Sequence, residues 1–598
     1  MSSARRSGIV PVTQNLDIAL RHLRCKRKPR YMWIDALCIN QADNEEKGIQ
    51  VSIMGKIFAT AERVISWLGP EEDNSNQAMA LLLSVGRKLD LNRSEGTLRP
   101  FTAEVTGKMR FLFRRGGKRR RLQSIEILDP EVDIPWTTQK YKAILFLLAR
   151  PYFRRAWIVQ EIQLAKRVVF QCGFVTLNED DLWKAVICLN PKQLPKGTKI
   201  ARGDWIASLQ EPSNLAHMRA WHNLISVYTL RHDLGHFFCQ DPRDKIYSVL
   251  GILSPSSCSL QIKPNYDRET RDLYIDFAQR IFTTRSCIDT LNACELWSRT
   301  LDIPSWVPDW STPVNCTHLL PSRWSACAWI ASRPTFDGTG LRCTVPGIFI
   351  TRITELKEAL LSRGEITREE FFRYMRAIRP SGEDMTSLYM TGQTLMEVYC
   401  RVLIADGFRD AYQPSNPLCP NFAQGLDSLT LAWSDHASDI ERVNASERPN
   451  TYFQAILNYT SKRRFFRSSD GYLGLAPLET QTGDALCVLL GCRFPIILRP
   501  AANHTWLVVG PCYAHGLMRG ETIYRNKLVA ESLSSQSGRD DCLEFFDPED
   551  GLPYFSAEEM LERSGIKVES RQDDPLALFV LPETLQTAGI QVEDFVLV

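Results

Sequence analysis

The chain is 598 residues long, 44% hydrophobic and 24% charged, with a formal net charge of +3. That length exceeds one ordinary core and implies two or three domains, and the near balance of charge removes the electrostatic case for nucleic acid as a partner. Its 17 cysteines are odd in number and form no CxxC pair, which suits reduced thiols in an intracellular protein and argues against a disulfide framework or a metal ribbon.

The first residues carry arginines but no apolar core of a secretory signal, and no run approaches the ~18 apolar residues of a membrane span. The cytoplasm is the default compartment. Thr13 is placed to cap a helix bearing Leu16, Ala19, Leu20 and Leu23 on one face. Tyr31 to Ile34 then reads as a short buried strand that delivers Asp35 to its carboxyl end. Asp43 and Glu46 have capping-box spacing, and the helix they start shows Ile49, Ile53, Ile57 and Ala61 as an apolar stripe, with Met54 and Phe58 beside it. Val64 to Leu68 is a second strand, so Tyr31 to Pro70 reads as a βαβ unit with parallel strands.

Helical spacing continues over Asn76 to Leu91 and Tyr141 to Ala149, with a basic run between them from Met109 to Gln123 that reads as a solvated insertion. Trp157, Ile158, Ile162 and Ala165 share a helical face, and Val168 to Gln171 is a further buried strand. An α/β domain over residues 9–173 results. Residues 174–310 read as mostly helical. His232, His236 and Cys239 have HxxxH spacing plus a thiol, but no carboxylate accompanies them, so no metal site is assigned. Asp241, Pro242, Arg243 and Asp244 read as a helix start, with a catalytic Asp244 as the sharper alternative, and Ile303 to Trp310 as a proline-stiffened turn packing its tryptophans against a neighbouring domain. Residues 311–460 form a variable, mainly helical region with helical stretches at Glu355 to Leu361 and Arg368 to Ile378. From 461 to 598, short β-rich runs separated by Gly, Pro and Asn imply a small antiparallel barrel or sandwich.

No GxGxxG follows a strand, and GxxxxGK[ST], GxSxG and HExxH are absent, which removes the usual support for dinucleotide oxidoreductase, P-loop, hydrolase and zincin readings. What remains is a set of polar residues at the carboxyl edge of the expected sheet, Asp35, Asn40, Gln41 and Glu46, where open α/β sheets bind ligands. Plainer roles stand beside each: Asp35 paired with amides or an arginine, Glu46 only capping its helix, Gln160 and Glu161 on the surface.

The residues themselves resemble a family. WIDALCINQ, then Glu46, Lys47, Gln50, Val51, Met54, Ala61 and WLG, then RPYFRRAWIVQEIQLA, are very like the fungal heterokaryon incompatibility (HET) domain, and DPRDKIYSVLGI, PSWVPDW, GYLGLAP, GDALCVLLG and YAHGLMRGE look like the blocks that accompany it. The resemblance implies non-self recognition after cell fusion and a trigger of programmed cell death, with an incompatibility protein as partner and self-association into a homo-oligomer. It also implies a distant relation to TIR domains, hence a flavodoxin-like parallel sheet, here lacking its first strand because the sequence starts at the helix that follows it. Some TIR domains cleave NAD at the nicotinamide glycosidic bond with a glutamate. By that analogy Glu46 is the catalytic carboxylate, Asp35 joins it, and Trp33, Asn40 and Gln41 line the pocket, with NAD as substrate and no cofactor. An adaptor that acts only through self-association and partner binding is the competing class.

Overall fold

The computed structural model describes residues 11–25, 29–92, 97–100, 137–190, 200–221, 230–253, 260–297, 299–314, 325–360, 366–408, 420–434, 450–524 and 578–598, with short pieces elsewhere. The basic run from Met109 to Gln123 lies outside the described residues. Mixed helices and sheets make up the N-terminal half, and strands dominate the C-terminal part.

Helix α1 (Gln14–Leu23) starts as expected, with the Thr13 hydroxyl accepting from Leu16 N–H at 3.3 Å. Helix α2 (Asn44–Thr60) is capped by Asp43, whose carboxylate accepts from the amides of Glu45 and Glu46. Glu46 reaches back past Asp43 to the Asn40 amide at 3.0 Å, so the capping box is realised one turn wider than its usual form. The buried face of α2 is Val51, Met54 and Phe58, and Ile49 (57% exposed) and Ile53 face outward, which corrects the expected stripe. The reason is the partner: α2 lies on the later helix α5 (Trp157–Leu164), and only one of the helix's two interleaved apolar rows meets it.

Tyr31 to Ile34 does not form the expected strand. Ile34 is extended, at φ −137° and ψ 119°, yet the segment enters no ladder and Tyr31 is 97% exposed. Extended propensity fixes the local shape, but a strand exists only with a hydrogen-bonding neighbour, and a groove separates this segment from the nearest one. The observed sheet is three-stranded: β1 (Val64–Gly69) pairs in parallel with β2 (Val168–Cys172), which pairs antiparallel with β3 (Val175–Asn178). The β2–β3 turn holds Gly173 at φ +55°, a conformation that a side chain would strain. Helices α3 (Ser75–Arg87), α4 (Thr138–Leu148), α6 (Glu179–Leu189) and α7 (Arg202–Trp221) pack beside it; a Cβ on Gly86 would sit 2.2 Å from Asp181 O, so α3 and α6 approach at a distance only glycine permits.

In the middle region Asp241 is fastened to Arg243 at 2.8 Å, while Asp244 is buried and accepts from Trp157 Nε1 at 3.1 Å and Tyr266 OH at 2.7 Å. Trp306 donates to Leu341 O and Ser305 bonds to Val508 and Val598, so the IPSWVPDW turn does pack against the C-terminal sheet.

That sheet closes on itself. Its longest strand, β4 (Cys343–Leu356), comes from the region expected to be mainly helical and takes in Glu355 and Leu356, which corrects the helix expected from Glu355. The ring runs β4, β7 (Ala485–Leu489), β8 (Ile496–Pro500), β9 (Thr505–Pro511), β10 (Glu593–Leu597) and back to β4, with only β9 and β10 parallel. The hairpin β5 (Arg463–Ser468) and β6 (Leu473–Pro477) continues from the far end of β4. Asp484, in the expected Gly483–Asp484 turn, holds Arg499 through two contacts of 2.9 Å. The helix expected from Arg368 to Ile378 forms with those bounds, behind a Thr367/Glu370 capping box, and packs with its helical neighbours into a second core against β5 and β6.

Candidate functional site

The outer edge of β1 borders an open groove of about 1210 Å³. One wall is Arg30 to Asp35 and the other is Val64, Ile65 and Trp67, with α1 and the last turn of α2 between them. Alternation along β1 sends its side chains to opposite faces. Trp67 turns toward α1, donating to Asn15 Oδ1 at 3.3 Å and lying 5.1 Å from the His22 ring. Ser66 turns the other way and accepts from Tyr152 OH at 2.6 Å. Trp33 stands edge-on to Phe58 at 5.8 Å, which anchors the extended segment to α2.

Asp35, Tyr152, Arg155 and Glu161 are among the polar side chains that line the groove, with Arg30, Glu62 and Arg63. Glu161 sits on α5, whose neighbouring residues Ile158, Val159, Gln160 and Ile162 are all buried, and is itself half-buried where the helix borders the groove. Burial pushes its carboxyl up to about 7; the Arg155 guanidinium opposes that shift and Asp35 reinforces it. Among the described residues Glu161 has no hydrogen bond or ion pair, so its carboxyl is available to a ligand. The Tyr152 phenol is raised by burial, with the nearby Glu161 adding to the effect.

Of the residues expected at the site, Trp33 and Asp35 line this groove. Glu46 is held on the Asn40 amide, and Asn40 and Gln41 are exposed beside it in the turn that starts α2. These three form one cluster, separate from the groove lining. Glu161, Tyr152 and Arg155 also line the groove and were not among the residues expected at a site from sequence. His232 and His236 line different cavities, and among the described residues no group of three His, Cys, Asp or Glu side chains could hold a metal ion. No described helix is long and apolar enough to cross a membrane.

An edge-open α/β unit with a carboxyl-bearing groove, joined to a closed C-terminal barrel, defines a two-part protein whose parts are each known. Residues 3–161 match the family model "Heterokaryon incompatibility protein (HET)" and residues 408–529 match the "Het-6 beta-barrel domain", so a HET domain and a barrel domain of that kind lie in one chain. Among individual proteins it is similar to "Heterokaryon incompatibility protein 6, OR allele" of Neurospora crassa, 24% identical over 613 aligned positions that cover 85% of each chain. No solved structure matches it. Strands β4 and β10, which complete the ring, lie outside the matched barrel span.

Proposed function

We propose that this chain is a heterokaryon incompatibility effector that triggers cell death by cleaving the nicotinamide glycosidic bond of NAD in the β1 groove. The observation that carries the reading is Glu161, an unpaired carboxyl held near neutral by burial at the end of a groove that also presents Arg155, Tyr152, Asp35 and Trp33. A group half ionised near pH 7 is matched to general-base work. The proposed relation of HET to TIR domains supplies the reaction class and is an analogy.

In the proposed reaction the glycosidic C–N bond breaks, its electron pair leaves with nicotinamide, and positive charge spreads over ribose C1′ and the ring oxygen. The Asp35 and Glu161 carboxylates stabilise that charge. Water adds to C1′ and gives its proton to Glu161, so NAD⁺ and water yield ADP-ribose, nicotinamide and a proton. Trp33 offers a stacking face to a ring, and Arg155 a cation to the pyrophosphate. Glu46, with its carboxylate on the Asn40 amide, has the helix-start role, and Asn40 and Gln41 shape the same turn.

The test is nicotinamide and ADP-ribose release from NAD by purified protein, resolved by chromatography. Equimolar products support the reading, and a folded protein that releases neither rejects it. A second reading, a non-enzymatic adaptor that works in the cytoplasm through an incompatibility partner and self-association, is favoured by one observation: among the described residues no strand pairs with the outer edge of β1.

A further inference from the structure

We infer that the cavity between α7 and the loop at 235–239 is a binding site for a small zwitterion of the amino-acid type, held with its ammonium on Glu211 and its carboxylate on Arg154. The cavity shares no lining residue with the β1 groove, so the inference goes beyond the reading above and stands apart from it.

The walls come from separate stretches of chain that are fastened to one another. Lys245 is buried, and its ammonium donates to Leu234 O, Gly235 O and Phe237 O, so all three of its protons are used in holding the loop. Arg231, also buried, donates to Thr312 O at 3.1 Å and to Pro313 O at 3.3 Å and fixes the wall that carries Ser311 and Pro313. A Cβ on Gly235 would sit 2.9 Å from Pro313 Cα, so loop and wall approach at a distance only glycine permits. Phe238 N–H donates to Arg154 O and Phe238 O accepts from Ala156 N–H, which ties Arg154 to the same loop. The cavity is therefore preformed. At about 370 Å³ it falls within the range of small-molecule pockets, roughly 300–1,000 Å³.

Two charges in it are unanswered. Glu211 is 8% exposed and lines the cavity, and among the described residues its carboxylate has no hydrogen bond or ion pair. Arg154 lines the same cavity, and among the described residues its guanidinium has none either. The two share one cavity without pairing with each other, because the tied walls hold them apart. A buried carboxylate without a partner is unfavourable, and a bound cation relieves it. A plain amine would answer Glu211 and leave Arg154, and a plain carboxylate the reverse; a molecule that carries both charges answers both. Lys245 does not compete for the ligand, since its donors are taken. Ala207, Phe237, Pro242 and Pro313 make up the apolar lining, so the ligand's side chain is expected to be apolar.

This is a binding site and not a reacting one. Burial pushes the Cys239 thiol up to about 11, so it stays protonated beside His236 and is no nucleophile. Among the described residues no group of three His, Cys, Asp or Glu side chains could hold a metal ion there.

The test is isothermal titration calorimetry of the full chain with L-phenylalanine, L-leucine, L-methionine and L-valine. Saturable binding of at least one is expected. The amine and the acid left when its carboxylate or its ammonium is removed should each bind about tenfold or more weakly. Glu211→Gln should weaken the amino acid and the amine by a similar factor and leave the acid unchanged, and Arg154→Gln should do the converse. Should either variant melt early, Ala207→Phe, at an exposed position of α7, fills the cavity from its mouth and must abolish binding. No binding of any of the four by folded protein overturns the inference, as does unchanged affinity in both charge variants. Equal affinity for the amine and the amino acid also overturns it, because the ligand is then a plain cation. NAD turnover is not read in this test, so its absence leaves the inference standing.

Discussion

Glu161 shows how burial, not residue type, makes a candidate acid or base. Its carboxyl is raised from an ordinary value of 4.5 to about 7 by loss of water, only partly offset by Arg155. A carboxyl raised in the folded state stabilises the fold below pH ~4.5, and that stability is lost as pH climbs through about 7, where the folded protein must ionise a buried group. The loss is on the order of 3 kcal/mol, at ~1.4 kcal/mol per pH unit. Glu161→Gln should therefore raise the melting temperature at pH 8 and leave it nearly unchanged at pH 4, a crossing readable by thermal melts at the two pH values. An equal effect at both would contradict the burial account. The sequence held a signal for this residue: a lone charge among Ile158, Val159, Gln160 and Ile162, all buried. The analogy to TIR domains placed the catalytic role on Glu46, whose capping-box spacing marks a helix start, and spacing says nothing about which carboxylate faces a cavity.

Among elements, α2 carries two apolar rows one residue out of step, and periodicity cannot choose between them. Packing against α5 chooses Val51, Met54 and Phe58. Ile53→Lys should consequently change stability by less than ~0.5 kcal/mol, whereas Met54→Ala should cost about 2–5 kcal/mol, as measured by urea denaturation; equal costs would restore the other row. The Thr13 cap of α1, the strand at Val168 and the helix from Arg368 to Ile378 were all legible because each is decided within a few residues. Tyr31 to Ile34 was half legible. Its residues dictate an extended chain, but pairing is a property of a neighbour.

For the molecule as a whole, the barrel was readable as a class from its short strands and turn residues, but not its closure. β4 and β10 meet across about 250 residues, with Leu597 opposite Cys343, and no local pattern announces that pairing. Its C-terminal strand also ties the two halves, since Ser305 N–H donates to Val598 O and Val598 N–H to Trp506 O. One continuous apolar core includes Ile39, Trp306 and Leu597. Deleting residues 593–598 should open the ring and loosen the N-terminal half with it, seen as dye binding to exposed apolar surface and a lower melting temperature; an unchanged melt would contradict a shared core. The two family matches cover residues 3–161 and 408–529, and the strands that close the ring, β4 and β10, lie outside both.

The account turns on which carboxyl does the chemistry, so the most direct measurement is nicotinamide release from NAD by wild-type protein, Glu161→Gln and Glu46→Gln under identical conditions. General acid–base groups contribute about 10²–10⁴-fold. The account predicts a loss of that size for Glu161→Gln with near-ultraviolet circular dichroism unchanged, and turnover close to wild type for Glu46→Gln. Full turnover by Glu161→Gln, or a selective loss in Glu46→Gln, would contradict it.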